Sequence, residues 1–220
     1  MNTKMTIGLT MLAATSAAMA GPVIDLQPGE YFGDLSGITN SQMSELIGSV
    51  EFDSLQSISV PAGEGSDAGM LYEASLMTRV VRSNETGNLT FNFRIMEANA
   101  ALAGQVSHIA ISGFAGQQTR VEYRGEEGFG EQGPLTAERS ADGDTLTYDF
   151  GTDFATDESS RFFFAMLDVA SFDFEGAQPV ATIYLESGEA VSLDIQPPVP
   201  APGALALLGT AGLCMARRRR

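Results

Sequence analysis

The chain has no tryptophan, one cysteine, one histidine and one lysine among its 220 residues. Its cysteine is Cys214, close to the C-terminus, so no intrachain disulfide and no cysteine-based zinc site can form. His108 is the sole imidazole, and any Ser-His-Asp or Cys-His mechanism would have to use it. It sits in Ser107-His-Ile-Ala-Ile-Ser112, out of phase with Ile109 and Ile111, which places it mid-strand on the face opposite them. Bases and nucleophiles favour loops and strand ends. The expectation is a structural or solvent-facing histidine in a protein that is not an enzyme. The missing indoles also remove the best stacking surface for sugars.

Positive charge is scarce where it would count. Lys4 and Arg217 to Arg220 occupy the two ends, leaving seven arginines (79, 82, 94, 120, 124, 139 and 161) in between. All 28 acidic residues fall between Asp25 and Asp194. Such a surface repels nucleic acid and anionic lipid, whose recognition rests on Lys and Arg patches. It stays soluble by self-repulsion and draws divalent cations. Calcium is the ligand this composition admits, with oxygen donors grouped at Asp142-Gly-Asp144, at Asp153 to Glu158, and at Asp168 with Asp173 and Glu175. None of these follows the twelve-residue EF-hand spacing, and Asp-Gly is a favoured hairpin turn without metal. No cofactor is assigned. Four strand-associated carboxylates, Glu97, Glu122, Asp149 and Asp168, are the candidates for paired-carboxylate glycoside hydrolysis, which needs two of them about 5 to 10 Å apart.

The N-terminus reads as a secretory signal. Lys4 precedes an apolar run from Met5 to Leu12, and small residues end in Ala18-Met19-Ala20 before Gly21. That order marks a cleavable signal helix over residues 1–20, with cleavage after Ala20, too short for a spanning segment. Residues 21–195 then remain as one domain of about 175 residues, enough to bury a core without disulfides.

Between those bounds the pattern is that of strands. In Asn88 to Ile95, Leu89, Phe91, Phe93 and Ile95 alternate with Thr90, Asn92 and Arg94, which predicts a half-buried strand. Asp144 to Phe150 repeats the period with Leu146, Tyr148 and Phe150 inward. Further strands are expected over 50–60, 71–82, 105–113, 119–124, 180–186 and 189–195. Arg161 to Val169 is apolar on both faces, as a covered central strand would be. Asn84 to Gly87, Asp142-Gly143 and Ser187-Gly188 supply turns. Gly125 to Pro134 reads as a long exposed loop, Ser41 to Ile47 as a helical turn or two, and the rest of 21–69 carries no clear period. The fold class expected is all-β, a single antiparallel β-sandwich or jelly roll. If it bound sugar, Tyr123 and Tyr148 would be the first ring pair to face it.

Residues 196–220 change character. Prolines at 197, 198, 200 and 202 remove amide donors, so the segment cannot be a central strand and reads as an extended linker. Gly203 to Ala216 is uncharged and mostly apolar; as a helix it spans about 21 Å, short of a hydrocarbon core of about 30 Å. Arg217 to Arg220 would hold the terminus on the cytoplasmic side.

Val199-Pro200-Ala201-Pro202-Gly203, the apolar run after it and Arg217, Arg218, Arg219 and Arg220 resemble a PEP-CTERM sorting signal, with Ala201 in place of the family's central Glu. The resemblance implies recognition by an exosortase, a membrane protease-transpeptidase, with transient membrane contact through the short C-terminal helix; the other reading of the same segment is a retained C-terminal membrane anchor. A weaker likeness covers the domain: Asn88 to Ile95, Gly116 to Tyr123, Ala137 to Gly143 and Ser160 to Gly176 are similar to the sandwich ectodomains that precede such tails. The function expected is an exported, non-catalytic cell-surface or matrix protein that contacts exopolysaccharide or copies of itself. The alternative is a secreted carbohydrate-binding module or carbohydrate-active enzyme on a jelly-roll scaffold.

Overall fold

The computed structural model describes residues 23–63, 69–152, 154–172 and 179–195, together with the backbone of Pro198–Val199. The signal segment with Ala18, Ala20 and Gly21, and the tail from Pro200 onward, lie outside them. So do Asp153, Asp173 and Glu175.

The two-residue period of 88–95 becomes a strand at the heart of a six-stranded antiparallel sheet. This first sheet runs β1 (Ile24–Asp25), β7 (Thr119–Tyr123), β10 (Phe163–Leu167), β5 (Leu89–Met96), β4 (Met70–Ser83) and β3 (Gly48–Pro61). A second six-stranded sheet runs β13 (Ala190–Asp194), β12 (Val180–Leu185), β6 (Val106–Ile111), β9 (Leu146–Asp149), β8 (Thr136–Arg139) and β2 (Tyr31–Phe32). The protein is all-β, a sandwich of two antiparallel sheets. A minor pair joins β11 (Ser171–Phe172) to β14 (Pro198–Val199). Val199 is the one residue of the sorting motif that the described structure includes. The expected helical turn at 41–47 is a 3-10 turn over Ser44–Leu46. Among the described residues, no helix is long and apolar enough to cross a membrane.

One apolar core fills the space between the sheets. Phe91, Phe93, Val121 and Phe163 of the first sheet meet Ile109, Ile111, Leu146, Tyr148 and Ile183 of the second, all fully buried. The Phe163 ring lies 4.9 Å from that of Tyr148 and 5.6 Å from that of Phe150. Each such side chain stabilises the fold by roughly 1.5 to 3 kcal/mol. β10 is buried at all five positions, as expected for a central strand.

Two expectations need correction. β5 is not half-buried: Thr90 and Asn92, on its polar face, are each 3 % exposed. The chain from Leu35 to Ile47 crosses that outer face, and Ile38 and Leu46 pack there on Phe164 and Met166 as a second small core. The loop at 125–134 is not simply exposed either, since Gly133 and Pro134 are buried and the Phe129 ring meets Phe162 edge-on at 5.7 Å.

β8 holds an inward-facing arginine. Arg139 is 2 % exposed and donates to four backbone carbonyls: Leu26 (2.9 Å), Phe114 (3.0 Å), Gln117 (2.7 Å) and Gly143 (3.0 Å). A guanidinium offers five donors in a rigid fork, and loop carbonyls at the end of the sandwich supply the matching acceptors. Burial pulls its pKa below the ordinary value, with Asp25 opposing.

Candidate binding site

Rows of cross-strand partners define what the outer face of the first sheet presents. Register aligns Asp53, Arg79, Asn92, Phe164 and Glu122 across β3, β4, β5, β10 and β7 in one row. The backbone strap over this row leaves one end open, and there a cavity of about 220 Å³ forms. Its polar lining is Asn40, Arg79, Asn92 and Arg124; its apolar lining includes Leu46, Ile47, Val50, Val81, Phe129 and Phe162.

Aromatic rings and carboxylates hold the arginines in place. The guanidinium carbons of Arg79 and Arg94 lie 5.4 and 5.5 Å from the Phe162 ring centre, and that of Arg124 lies 5.3 Å from Phe129. These are cation–π distances. Arg79 pairs with Asp53 through Nη2 at 2.6 Å. Arg124 grips Glu126 with Nε (3.0 Å) and Nη2 (2.9 Å), and its Nη2 also donates to Asn40 Oδ1 at 2.8 Å. Burial by itself would raise the Glu126 pKa, but the Arg124 fork and the Asn40 amide outweigh it and hold the carboxyl below its ordinary value. Neither arginine gives its Nη1 to an acceptor among the described residues, and the buried Nε of Arg79 also lacks one.

Glu122 ends the same row in a different environment. It is 1 % exposed, and its carboxylate accepts from the backbone of Ser36 (3.3 Å), Gly37 (3.0 Å) and Tyr123 (3.0 Å). Burial raises its pKa above the ordinary value against the pull of those three N–H groups, and Asp34 adds to the rise. Its contacts are those of a clasp on the strap.

The other carboxylates stand apart. Glu122 lies on the outer face of the first sheet, under the strap, and Asp149 ends β9 in the second sheet, where it accepts from Gly151 N–H at 2.7 Å. Glu97 follows β5 with φ +58° and accepts from Ser75 Oγ at 3.2 Å. Asp168 is exposed, 4.0 Å from Arg120 and 3.2 Å from Asn88. Each is engaged with its own local donors.

His108 is mid-strand, as its spacing predicts. It stacks on its cross-strand partner Tyr184 with ring centres 4.4 Å apart, and its Nδ1 lies 2.7 Å from Ser107 Oγ. The tyrosine pair named as a sugar platform does not exist. Tyr148 is fully buried between the sheets, and Tyr123 packs against Gly37 and Gly133.

At the Asp142-Gly-Asp144 turn, the carboxylates serve the backbone. Asp142 accepts from Ser140 Oγ (2.5 Å) and Asp144 N–H (3.1 Å), and Asp144 accepts from Gly113 and Ala115. Among the described residues, no group of three His, Cys, Asp or Glu side chains could hold a metal ion.

Sequence reasoning had no route to the cavity. Asn40, Arg79, Asn92, Arg124, Phe129 and Phe162 are scattered over more than half the chain and meet only through strand register. No protein-family model, no curated protein and no solved structure matches this chain.

Proposed function

We propose that this is an exported, non-catalytic surface or matrix protein whose acidic β-sandwich is delivered by a sorting system acting on its C-terminal tail. The observation that carries this reading is the order of parts after the sandwich: a proline-rich stop, a brief apolar stretch over 203–216 and four terminal arginines. An apolar helix of that length crosses a bilayer poorly, while the arginines fix its orientation, so the segment suits recognition by a membrane protease of the exosortase kind. The signal-like N-terminus, with its Ala18-Met19-Ala20 site before Gly21, supplies the route of export. With its one cysteine in the tail, the domain is held by its apolar core and not by disulfides.

The acidic surface favours display over nucleic-acid or membrane binding, and its partners at the cell surface would be exopolysaccharide or further copies of the chain. Support for a non-catalytic role comes from the carboxylates, each engaged locally, and from a histidine stacked on Tyr184. Deleting Val199 to Arg220 tests the role of the tail. The shortened chain should appear in the medium, whereas retention at the cell surface would remove the reading.

A further inference from the structure

We propose that the cavity on the outer face of the first sheet binds a small monocarboxylate with an apolar body. This inference is independent of how the protein reaches its destination.

The domain sets seven arginines against 28 acids, yet four of them converge beside this cavity: Arg79 and Arg94 face the Phe162 ring, Arg124 faces the Phe129 ring, and Arg161 donates to the carbonyl of Glu126. Arg94 donates to the carbonyl of Ser160 and Arg161 to those of Glu126 and Glu131, and neither is in an ion pair among the described residues. Among the described residues, the ion pairs of this group are Arg79 with Asp53 and Arg124 with Glu126. A local positive site on a strongly negative molecule is where a small anion gains and a polyanion does not, because the surrounding surface repels extended negative charge.

Geometry narrows the anion. Asp53 and Glu126 already occupy part of each lining guanidinium, which leaves the Nη1 donors of Arg79 and Arg124. That residual capacity suits a singly charged carboxylate more than a dianion such as phosphate. Arg presents parallel N–H groups that match a carboxylate, and the bonds are charge-assisted. The two arginines are positioned before any ligand arrives, held by the Phe162 and Phe129 rings, so little side-chain entropy is lost on binding.

The walls specify the rest of the molecule. Leu46, Ile47, Val50, Val81, Phe129 and Phe162 offer carbon surface, with Asn40 and Asn92 as the neutral polar groups. Val50 and Ile47 are 53 % and 46 % exposed, so apolar surface stays open at the rim of the cavity. A volume of 220 Å³ corresponds to about seven waters in the liquid, room for a compact ligand and not for a chain of sugars. Either a free aliphatic or aromatic acid or one uronate residue at the end of a saccharide presents a carboxylate beside an apolar face.

The experiment is calorimetric titration of the full-length chain with hexanoate, hexanol and glucuronate. Saturable binding of hexanoate or glucuronate, with hexanol at least about tenfold weaker, is the expected result, since the neutral analogue forfeits the charge-assisted bonds. The tighter of the two acids identifies the source, a free acid or an acidic saccharide. Arg79→Gln and Arg124→Gln should each weaken the better acid about tenfold or more. Val50→Asp, at an exposed rim position, should do the same by like-charge repulsion while its thermal unfolding stays close to that of the original chain. Hexanol binding as well as hexanoate, a folded Val50→Asp chain that binds the acid undiminished, or no saturable heat from either acid would overturn the proposal.

Discussion

The hydroxyl of Tyr148 donates to the carbonyl of Phe164 at 2.7 Å, a hydrogen bond that reaches from the inner face of one sheet to the central strand of the other. Tyr148 is fully buried, and burial, reinforced by the nearby Glu122 charge, drives its pKa well above the ordinary tyrosine value. The buried site therefore favours the protonated hydroxyl that donates this bond. Tyr148→Phe keeps the ring packing and removes the donor. Urea denaturation should show a loss of about 1 kcal/mol, the usual net worth of one buried hydrogen bond.

Tyr72 makes the opposite case. It is 2 % exposed and its hydroxyl has no partner among the described residues, while burial raises its pKa. An unpaired buried hydroxyl costs about 1 kcal/mol or more. Tyr72→Phe should be neutral or stabilising by up to about 1 kcal/mol in the same denaturation assay, and a clear loss would show that the hydroxyl is satisfied by solvent.

Glu122 couples the strap to pH. Its folded-state pKa lies above the unfolded value, so the folded chain binds the proton more tightly. The associated stability is fully present below the ordinary glutamate range and is lost as pH rises through the raised folded value. Relief of general acid–acid repulsion acts in the same direction, so the informative quantity is a difference between variants. Glu122→Gln removes the titration, and its deficit relative to the original chain should shrink as pH rises across that window. At low pH the deficit should be about 1 to 2 kcal/mol, because an amide NH2 would face one of the backbone donors that now find oxygen.

Gly37 is required where it stands. Its φ is +77°, its N–H meets Glu122, and an added Cβ would sit 2.5 Å from Tyr123 Cε2. Gly37→Ala combines backbone strain of about 1 kcal/mol with a collision against a packed ring. Faster amide exchange at Gly37 and Ile38, with Phe93 and Ala165 unchanged, is the expected signature.

Arg139→Met leaves four carbonyls at the end of the sandwich without their donor. A loss of about 3 kcal/mol or more is expected from thermal or chemical unfolding, and Arg139→Lys should rescue little, since an ammonium cannot span four acceptors arranged around a planar fork.

These residues also show how far the chain could be read unaided. β5, β9, β12 and β13 are legible because apolar and polar side chains alternate along them, and β10 because Phe162 to Leu167 is apolar throughout. β8 was invisible: Glu138 and Arg139 look like a surface segment, and only the ring of loop carbonyls explains an inward guanidinium. β1 and β2 are two residues each and exist through their partners. Thr90 and Asn92 read as solvent-facing because nothing in 35–47 signals a strap across their face. The cavity was out of reach for a deeper reason. Its arginines and phenylalanines are joined by cross-strand register, a long-range property that local period does not encode.

The account of destination rests on the fate of the two ends. Intact-mass measurement of the protein taken from the surface of its native cells tests it most directly. The predicted result is a chain that begins at Gly21 and lacks Arg217 to Arg220, cut within or after the segment from Val199 to Gly203. A surface-held chain that still carries all four terminal arginines would contradict it.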